Sequence, residues 1–187
     1  MPGESDSESV RELYERVESL RREVEYLRKR LVDKRHSEEL PTGEFRLLIC
    51  RVGDQQVAFP LNLVEEVVMM AKCTRVPESS PWVQGLLNLR GVSVPVLDIQ
   101  ACFNRRERRP ELGDFVVICR FHQRRIGLVV QEVIHMRQYN SEEFEEATQD
   151  ISHAQYLLGI IHAEGNPVLV VSVQQIVIMS ELSKEKE

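Results

Sequence analysis

Residues 88–99 read NLRGVSVPVLDI, and this stretch decides how the rest of the chain is interpreted. Arg90 lies between two residues that favour turns, Asn88 and Gly91, and an apolar, β-rich run that contains Pro95 follows at once. The stretch contains no catalytic group. It predicts an exposed arginine at a β corner that leads into a buried strand, which is an arrangement suited to binding another protein.

The corner residues each have a predicted role. A guanidinium at such a corner can pair bidentately with a carboxylate of a partner, while a local salt bridge to Asp98 or to a neighbouring glutamate is the open alternative. Gly91 is predicted to supply a backbone shape that other residues avoid. Pro95 lacks a backbone donor, so its strand is expected at a sheet edge or at a bulge, where a partner can add.

The bulk composition favours one ordinary domain with an appendage. The chain has 187 residues, 42% of them apolar and 29% charged, with a net charge of −6. The acidic balance argues against nucleic acid as the main partner. No run approaches the roughly 18 apolar residues that span a bilayer, and the polar start MPGESDSESV does not resemble a secretory signal. The four cysteines show no CxxC spacing, and Cys50 and Cys119, which lie in apolar strand-like runs, are expected in the core. A cytoplasmic location is the simplest interpretation.

Residues 8–35 form one block in which apolar residues recur alternately three and four positions apart. Because only the a and d positions of each heptad are apolar, the block predicts a coiled-coil helix. β-Branched residues at a with leucine at d favour a parallel dimer, whereas a heterotypic partner or packing on the chain's own domain are the alternatives. The predicted seam is Val10, Leu13, Val17, Leu20, Val24, Leu27 and Leu31.

The apolar period changes after a polar segment that contains Pro41 and Gly43. Beyond it, short apolar runs separated by turn signals are typical of an all-β domain. The predicted organisation is a disordered tail at 1–7, the coiled-coil helix at 8–35, a linker at 36–44, the β domain at 45–180 and a second disordered tail at 181–187.

The β domain is predicted to contain ten strands and two short helices. The helices are expected near 61–65 and 172–179. The predicted strands are 45–52, 55–59, 66–71, 86–89, 92–98, 114–121, 124–131, 133–138, 157–162 and 167–172.

The β region also repeats itself, which predicts two similar sub-barrels. The second copy has Glu164 where the first has Arg90, and Ser172 where the first has Asp98. Residues that only one copy has are the better functional candidates. The matching segments are 48–52 with 117–121, 64–70 with 130–136, 85–91 with 159–165, and 94–99 with 168–173.

No pattern of an enzyme is found in the sequence. There is no glycine-rich phosphate loop, no GxSxG elbow and no histidine pair at ligand spacing. The acidic run 142–146 is expected to be a solvated turn or helix start. The arginine-rich run 105–109 is either an anionic docking patch or a solvated connection between the halves. We therefore expect no catalytic residues, no bound cofactor and no metal, although a site assembled from scattered residues is a further alternative.

Several motifs together resemble the CheW-like domain family of chemotaxis coupling proteins. Residues 45–103 resemble the first half of such a domain and residues 114–179 the second. The matching elements are Gly53-Asp54, Val64-x-Glu66-Val67, Gly85-x-x-Asn88-Leu89-Arg90-Gly91, Val94-Pro95-Val96-x-Asp98-Ile99, Gly127-Leu128-Val129-Val130 with Val133, and Leu158-Gly159.

This resemblance implies a mainly β fold of two interlocked five-stranded SH3-like barrels, preceded here by the α-helical coiled-coil segment. It implies a non-catalytic scaffold that couples chemoreceptors to a CheA-type histidine kinase. The implied partners are the regulatory domain of the kinase and the tip of a methyl-accepting chemoreceptor, at membrane-associated receptor arrays. The implied partner-binding residues are Val64, Glu66, Val67, Arg90, Phe115, Gly127, Val133 and Met136.

The chain departs from the family pattern at three points. Phe59-Pro60-Leu61-Asn62 stands where a Gly-Ile-Asp-Ile type run is common, Ser172 stands where Asp is common, and the heptad segment is not part of the pattern. An adaptor in a chemosensory-like array that controls pili, gliding or development is the alternative within the class. An RNA-binding β-barrel is the alternative from another class, and the 6% aromatic content and acidic balance argue against it.

Overall fold

The computed structural model describes residues 43–77, 79, 82–103, 110–121, 124–148 and 153–182. The predicted tail 1–7, the coiled-coil helix 8–35 with its whole seam, and all but the last two residues of the linker lie outside the described residues. So do the arginine-rich run and residues 183–187.

Eleven strands and two helices are found in the described part of the chain, and the ten predicted strands are all confirmed to within three residues of their ends. The C-terminal helix is confirmed. The strands are β1 (Glu44–Val52), β2 (Gln55–Pro60), β3 (Val64–Met69), β4 (Val83–Leu89), β5 (Val92–Asp98), β6 (Phe115–Phe121), β7 (Arg124–Val130), β8 (Glu132–Asn140), β9 (Phe144–Glu146), β10 (Leu157–Ala163) and β11 (Asn166–Val171). The helices are α1 (Ile99–Cys102) and α2 (Val173–Leu182).

The strands form two sheets, and each sheet draws on both halves of the chain. Sheet A has the order β8-β1-β2-β11-β10-β9, and sheet B has the order β3-β6-β7-β5-β4. All neighbours are antiparallel except β2 with β11 and β5 with β7, which are parallel and join strands of different halves. The prediction of a mainly β fold is confirmed, with sheets of six and five strands rather than five and five. The pairings are those of open sheets, not of closed barrels.

The internal repeat is confirmed, but one predicted match is wrong. Cys50 pairs with Val133 on β8, and Cys119 pairs with Val64 on β3. Val64 is therefore equivalent to Val133, 69 residues later, as Cys50 is to Cys119. The sequence comparison had matched 64–70 with 130–136 instead of 133–139. Valines recur three positions apart in these segments, so a three-residue slip leaves the apolar pattern unchanged.

Both sheets bury both of their faces. On β6, Val116 and Ile118 point into an apolar cluster that belongs to sheet B alone, while Val117 and Cys119 point the other way into a core shared by the two sheets. Sheet A has a corresponding cluster of its own, built on Leu47, Ile49 and Tyr139 among others. The fold therefore has three apolar layers, which explains why its strands are almost continuously apolar.

Two of the four cysteines lie in the shared core, as predicted. Cys50 and Cys119 are fully buried, and Cys73 is half-buried. Burial raises the pKa of the Cys50 and Cys119 thiols to about 12, so both stay protonated and packed as small apolar groups.

Two expectations about local structure are wrong. Residues 61–65 do not form a helix. The carbonyl oxygens of Pro60 and Leu61 accept hydrogen bonds from the backbones of Leu63 and Val64, which closes two tight turns, and β3 begins at Val64. Pro95 is not on an edge strand, since β5 lies between β4 and β7. The proline is tolerated because β7 pairs only with residues 96–98, beyond the missing donor. Among the described residues, no helix is long and apolar enough to cross a membrane.

Equivalent glycines allow a segment of chain to approach the edge of each sheet. Gly85 on β4 lies against the backbone of Thr74, which forms an isolated bridge with Leu86. Gly159 on β10 lies against the carbonyl oxygen of Glu145 on β9. A Cβ atom at either glycine would lie far inside van der Waals contact with backbone atoms, so only glycine fits.

We predict that Gly159→Ala lowers the free energy of unfolding by about 2 kcal/mol, because a methyl group there must displace β9 from β10. The measurement is the urea midpoint of the purified variant. Gly113→Ala is the control, since no atom lies within 4 Å of its added Cβ, and its midpoint should match that of the parent. Equal midpoints for both variants would contradict the packing argument.

Candidate protein-docking site

Arg90 and Gly91 form the two-residue loop between β4 and β5. Their φ angles are 50° and 85°, and positive φ at both positions is what a type I′ hairpin turn requires. The Asn88 side-chain oxygen accepts a hydrogen bond of 2.9 Å from the Gly91 backbone and holds the turn. Glu164 and Gly165 repeat these angles, at 52° and 82°. The turn is thus a property of the scaffold, and only the side chain at its first position differs between the halves.

The Arg90 side chain is 81% exposed and donates from Nη2 to Glu66 Oε2 at 2.9 Å. Glu66 is the more enclosed partner, at 23% exposed. The local salt-bridge partner of Arg90 is therefore Glu66 and not Asp98. An exposed pair of this kind contributes little to stability, so Arg90 can exchange one carboxylate for another at small cost.

Asp98 is a helix cap. Its carboxylate is 3% exposed and accepts a 3.0 Å hydrogen bond from the backbone of Gln100 at the start of α1. The Ser172 hydroxyl does the same for Gln175 at the start of α2, at 3.2 Å. The loss of Asp98 in the second half is therefore a change of capping residue, and it is not evidence of a functional site.

Glu65 holds two arginines that face each other across strands β6 and β7. Arg120 and Arg125 are directly opposite, which is unfavourable for two like charges. Glu65 is the extra residue at a bulge in β3, and its oxygens accept hydrogen bonds of 3.0 and 3.4 Å from Arg120 and of 2.5 and 2.8 Å from Arg125. Hydrogen bonds from Arg125, and then from Arg120, lower the pKa of the Glu65 carboxyl to about 2.

No local pattern in the sequence indicates this cluster. Arg120 and Arg125 lie 55 and 60 residues from Glu65 along the chain, and only the sheet brings them together. A correct alignment of the two halves would have helped, because Glu65 is equivalent to Ile134 and Arg125 to Gln56. Glu65 and Arg125 are therefore specific to sheet B, whereas Arg120 has the arginine counterpart Arg51 in sheet A.

An apolar strip lies on edge strand β3 beside this charged group. Val67 is exposed, and Met69, which the sequence analysis missed, is 66% exposed. Met69 pairs with half-buried Phe115 on β6, so their side chains share one face. Val64 is half-buried and packs on the shared core. The structure thus places five predicted residues on or beside β3, with Val64, Val67 and Phe115 on the face of the shared core. Glu66 and its partner Arg90 lie on the other face.

The other predicted residues lie elsewhere. Val133 and Met136 are on β8, the edge strand of sheet A, and Met136 is 54% exposed. They are the equivalents of Val64 and Val67, so the two sheets present related strips. Gly127 is buried, and an added Cβ would meet Val116 at 2.6 Å and Val96 at 3.1 Å. The missing side chain leaves room for Val116 and Val96 in the apolar cluster of sheet B.

The acidic run at 142–146 has a structural role. Glu143 closes a capping box with the backbone of Asn140, and residues 144–146 form β9. In the part of the chain that the structure describes, no three histidine, cysteine, aspartate or glutamate side chains are grouped as a metal would require.

The comparisons with known proteins agree with this architecture. The model of the CheW-like domain matches residues 46–181. The chemotaxis protein CheW of Rhizobium meliloti is 24% identical over 143 residues, which are 75% of this chain and 92% of that protein. CheW of Bacillus subtilis is 27% identical over 113 residues, covering 60% of this chain and 72% of that protein. Protein PilI of Pseudomonas aeruginosa is 28% identical over 130 residues, covering 65% and 69%.

A solved structure shares the fold. The scaffolding protein TtCheW of Thermoanaerobacter tengcongensis superposes with a TM-score of 0.64 at 19% identity, covering 72% of this chain and 88% of that one. The two sheets, with β3 and β8 at their edges, define a CheW-type β-sheet scaffold fold. The chain belongs to the CheW-like domain family.

We predict that the Glu65 carboxyl titrates with a midpoint near 2, observed by carbon NMR of its side chain. Because this pKa lies below the usual 4.5, the carboxylate stabilises the fold above pH 4.5, and the effect disappears as the pH falls through about 2. Arg125→Gln should raise the midpoint. Arg51→Gln, on sheet A, is the control and should leave the Glu65 midpoint unchanged. A midpoint near 4.5 in the parent protein would show that Glu65 is not hydrogen-bonded to the two arginines.

Proposed function

We propose that this protein couples chemoreceptors to a CheA-type histidine kinase through its edge strands. The observation that carries the proposal is the strip on β3, where Val67 and Met69 are exposed next to the Arg90–Glu66 ion pair. Exposed apolar side chains on an edge strand provide area to bury, and an exchangeable ion pair fixes the orientation of the partner. Family membership supports the same function.

A coupling protein needs two surfaces, and the duplicated fold offers two. The strip on β3 and the strip that contains Val133 and Met136 on β8 belong to different sheets. The kinase regulatory domain could therefore bind one strip while the chemoreceptor tip binds the other. We propose a cytoplasmic location at membrane-associated receptor arrays, where both partners are held close together.

We also propose that each sheet curls into an SH3-like barrel. The bridge between Thr74 and Leu86 links the chain after β3, one edge of sheet B, to β4, the other edge. In sheet A, the edge strands β8 and β9 are consecutive and separated by a single 3₁₀ turn. An apolar cluster enclosed by each sheet supports the same curvature.

The N-terminal heptads are proposed to make the protein oligomeric. At the predicted seam a homodimer would bring Arg16 opposite Arg21, which is repulsive, and Glu23 opposite Arg28, which is attractive. One favourable and one unfavourable pair type make a homodimer weak. A heterotypic helix with acidic residues opposite Arg16 and Arg21 is the alternative.

A second candidate function has one observation in its favour. Protein PilI of Pseudomonas aeruginosa is among the relatives, at 28% identity. An adaptor of a chemosensory-like array that controls pili, gliding or development would use the same two surfaces. An RNA-binding role has no such support, and the net charge of −6 disfavours it.

We predict that Arg90→Ala weakens binding to the kinase regulatory domain or to the receptor tip by about 2 kcal/mol or more, because a carboxylate of the partner loses its ion pair with the Arg90 guanidinium. Isothermal titration with each partner is the measurement. Glu164→Ala, at the equivalent turn of the second half, is the matched control and should bind normally. If Arg90→Ala unfolds the protein while its folded fraction binds normally, Arg90 is only a structural corner.

We predict that the full chain forms a weak, concentration-dependent dimer in sedimentation equilibrium and that Leu20→Asp abolishes it, because a charge at a d position disrupts the seam. Arg21→Ala is the control and should dimerise at least as well, since it removes a repulsive contact. A monomer at every concentration, with the segment helical only when a partner is added, would reject the homodimer.

A further inference from the structure

We propose that sheet B has an anion-binding rim that docks an acidic segment of a partner protein. The rim consists of Arg90, Arg120 and Arg125 with Glu65 and Glu66. It rests on the proposed function, since it adds the chemistry of the partner to the same strand, β3. The docking groups are the two guanidiniums held by Glu65, with Arg90 at the other end.

The five side chains form one continuous group. Glu65 and Glu66 are adjacent at the bulge of β3, and they contact the arginines of β6 and β7 on one side and of the β4–β5 turn on the other. Three guanidiniums and two carboxylates leave one positive charge. This surplus occurs on a chain whose net charge is −6, so it provides a local site for negative groups.

Sheet A acts as an internal reference for this charge. At the positions of Glu65, Glu66 and Arg90 it has Ile134, His135 and Glu164. At the positions of Arg120 and Arg125 it has Arg51 and Gln56. The scaffold therefore does not require the rim, because sheet A is built on the same strand pairings without it.

The hydrogen bonds from Arg120 and Arg125 to Glu65 leave other guanidinium donors for a ligand. Each of Arg120 and Arg125 uses Nε and Nη2 on Glu65, so the Nη1 amino group of each planar fork points away from that carboxylate. The Arg120 side chain is 56% exposed. Because Glu65 fixes both forks, their donors are pre-organised for a second carboxylate.

A protein segment fits this site better than a membrane surface does. The positive charge is small and interleaved with two carboxylates, which a dense layer of anionic headgroups would meet unfavourably. Separate carboxylates on a peptide can instead reach Arg120 and Arg90 individually. Val67 and Met69 are exposed on the opposite face of the same edge strand, so they can contact only a segment that lies along the strand edge.

The test uses the full chain and a rhodamine-labelled decaglutamate peptide, with fluorescence anisotropy at low and at physiological ionic strength. We expect saturable binding that weakens with salt. Arg125→Gln should weaken binding about fivefold, since it removes one fork. The fold tolerates glutamine there, as Gln56 stands at the equivalent position. Arg120→Gln is a second variant with the same expected effect.

Arg51→Gln is the matched control, because it makes the same charge change on sheet A in a half-exposed pair with Glu132. Its affinity for decaglutamate should stay within about twofold of the parent value. Equal weakening by Arg51→Gln and Arg125→Gln, or no saturable binding at low ionic strength, would overturn the proposal. Binding to phosphatidylserine vesicles that Arg125→Gln abolishes, without decaglutamate binding, would also overturn it.

The rim and the coupling function can fail separately. Decaglutamate binding without any affinity for a kinase regulatory domain or a receptor tip would support the rim and reject the proposed partners. Partner binding that is insensitive to Arg120→Gln and Arg125→Gln would reject the rim and leave the coupling function intact.

Discussion

The exchange of strands between the two halves is the constraint on which the rest of the structure depends. Each sheet is completed by a parallel pairing between strands of different halves, β2 with β11 and β5 with β7. These crossings allow β1, β2, β6 and β7 to turn one face toward a common apolar core. Neither sheet can lose its exchanged strands without opening that core, so the halves must fold together.

Comparison of the two halves distinguishes residues that the fold requires from residues that are candidates for a function. The hairpin turns with positive φ, the helix caps Asp98 and Ser172, and the paired glycines Gly85 and Gly159 occur in both halves, so packing and backbone geometry account for them. Among the charged residues around the β3 bulge, only Arg120 has a counterpart of the same charge in sheet A, which is Arg51. The strand pairings that both sheets share do not explain this charged surface of sheet B. Binding to another protein would explain it.

The β3 bulge has a further consequence for the surface. An extra residue at Glu65 shifts the alternation of the strand, so Val64 and Val67 point to the same face although they are three residues apart. Glu65 and Glu66 then serve different arginines. One local irregularity therefore sets both the apolar strip and the charged rim, which lie on the two faces of one edge strand.

The sequence by itself determined the mainly β class, ten of the eleven strands, the existence of the repeat and the family, because strand periods, turn residues and the motif around Arg90 are local patterns. It did not determine the register between the halves, since valines three residues apart fit two alignments equally. It did not determine that Gly127 is buried or that β5, which contains Pro95, lies between two strands, because burial and strand order depend on pairings between distant segments. The partner of Arg90, the Glu65 clamp and the exposure of Met69 were decided by tertiary structure alone, because sheet pairing brings together side chains that the chain separates by 24 to 60 residues.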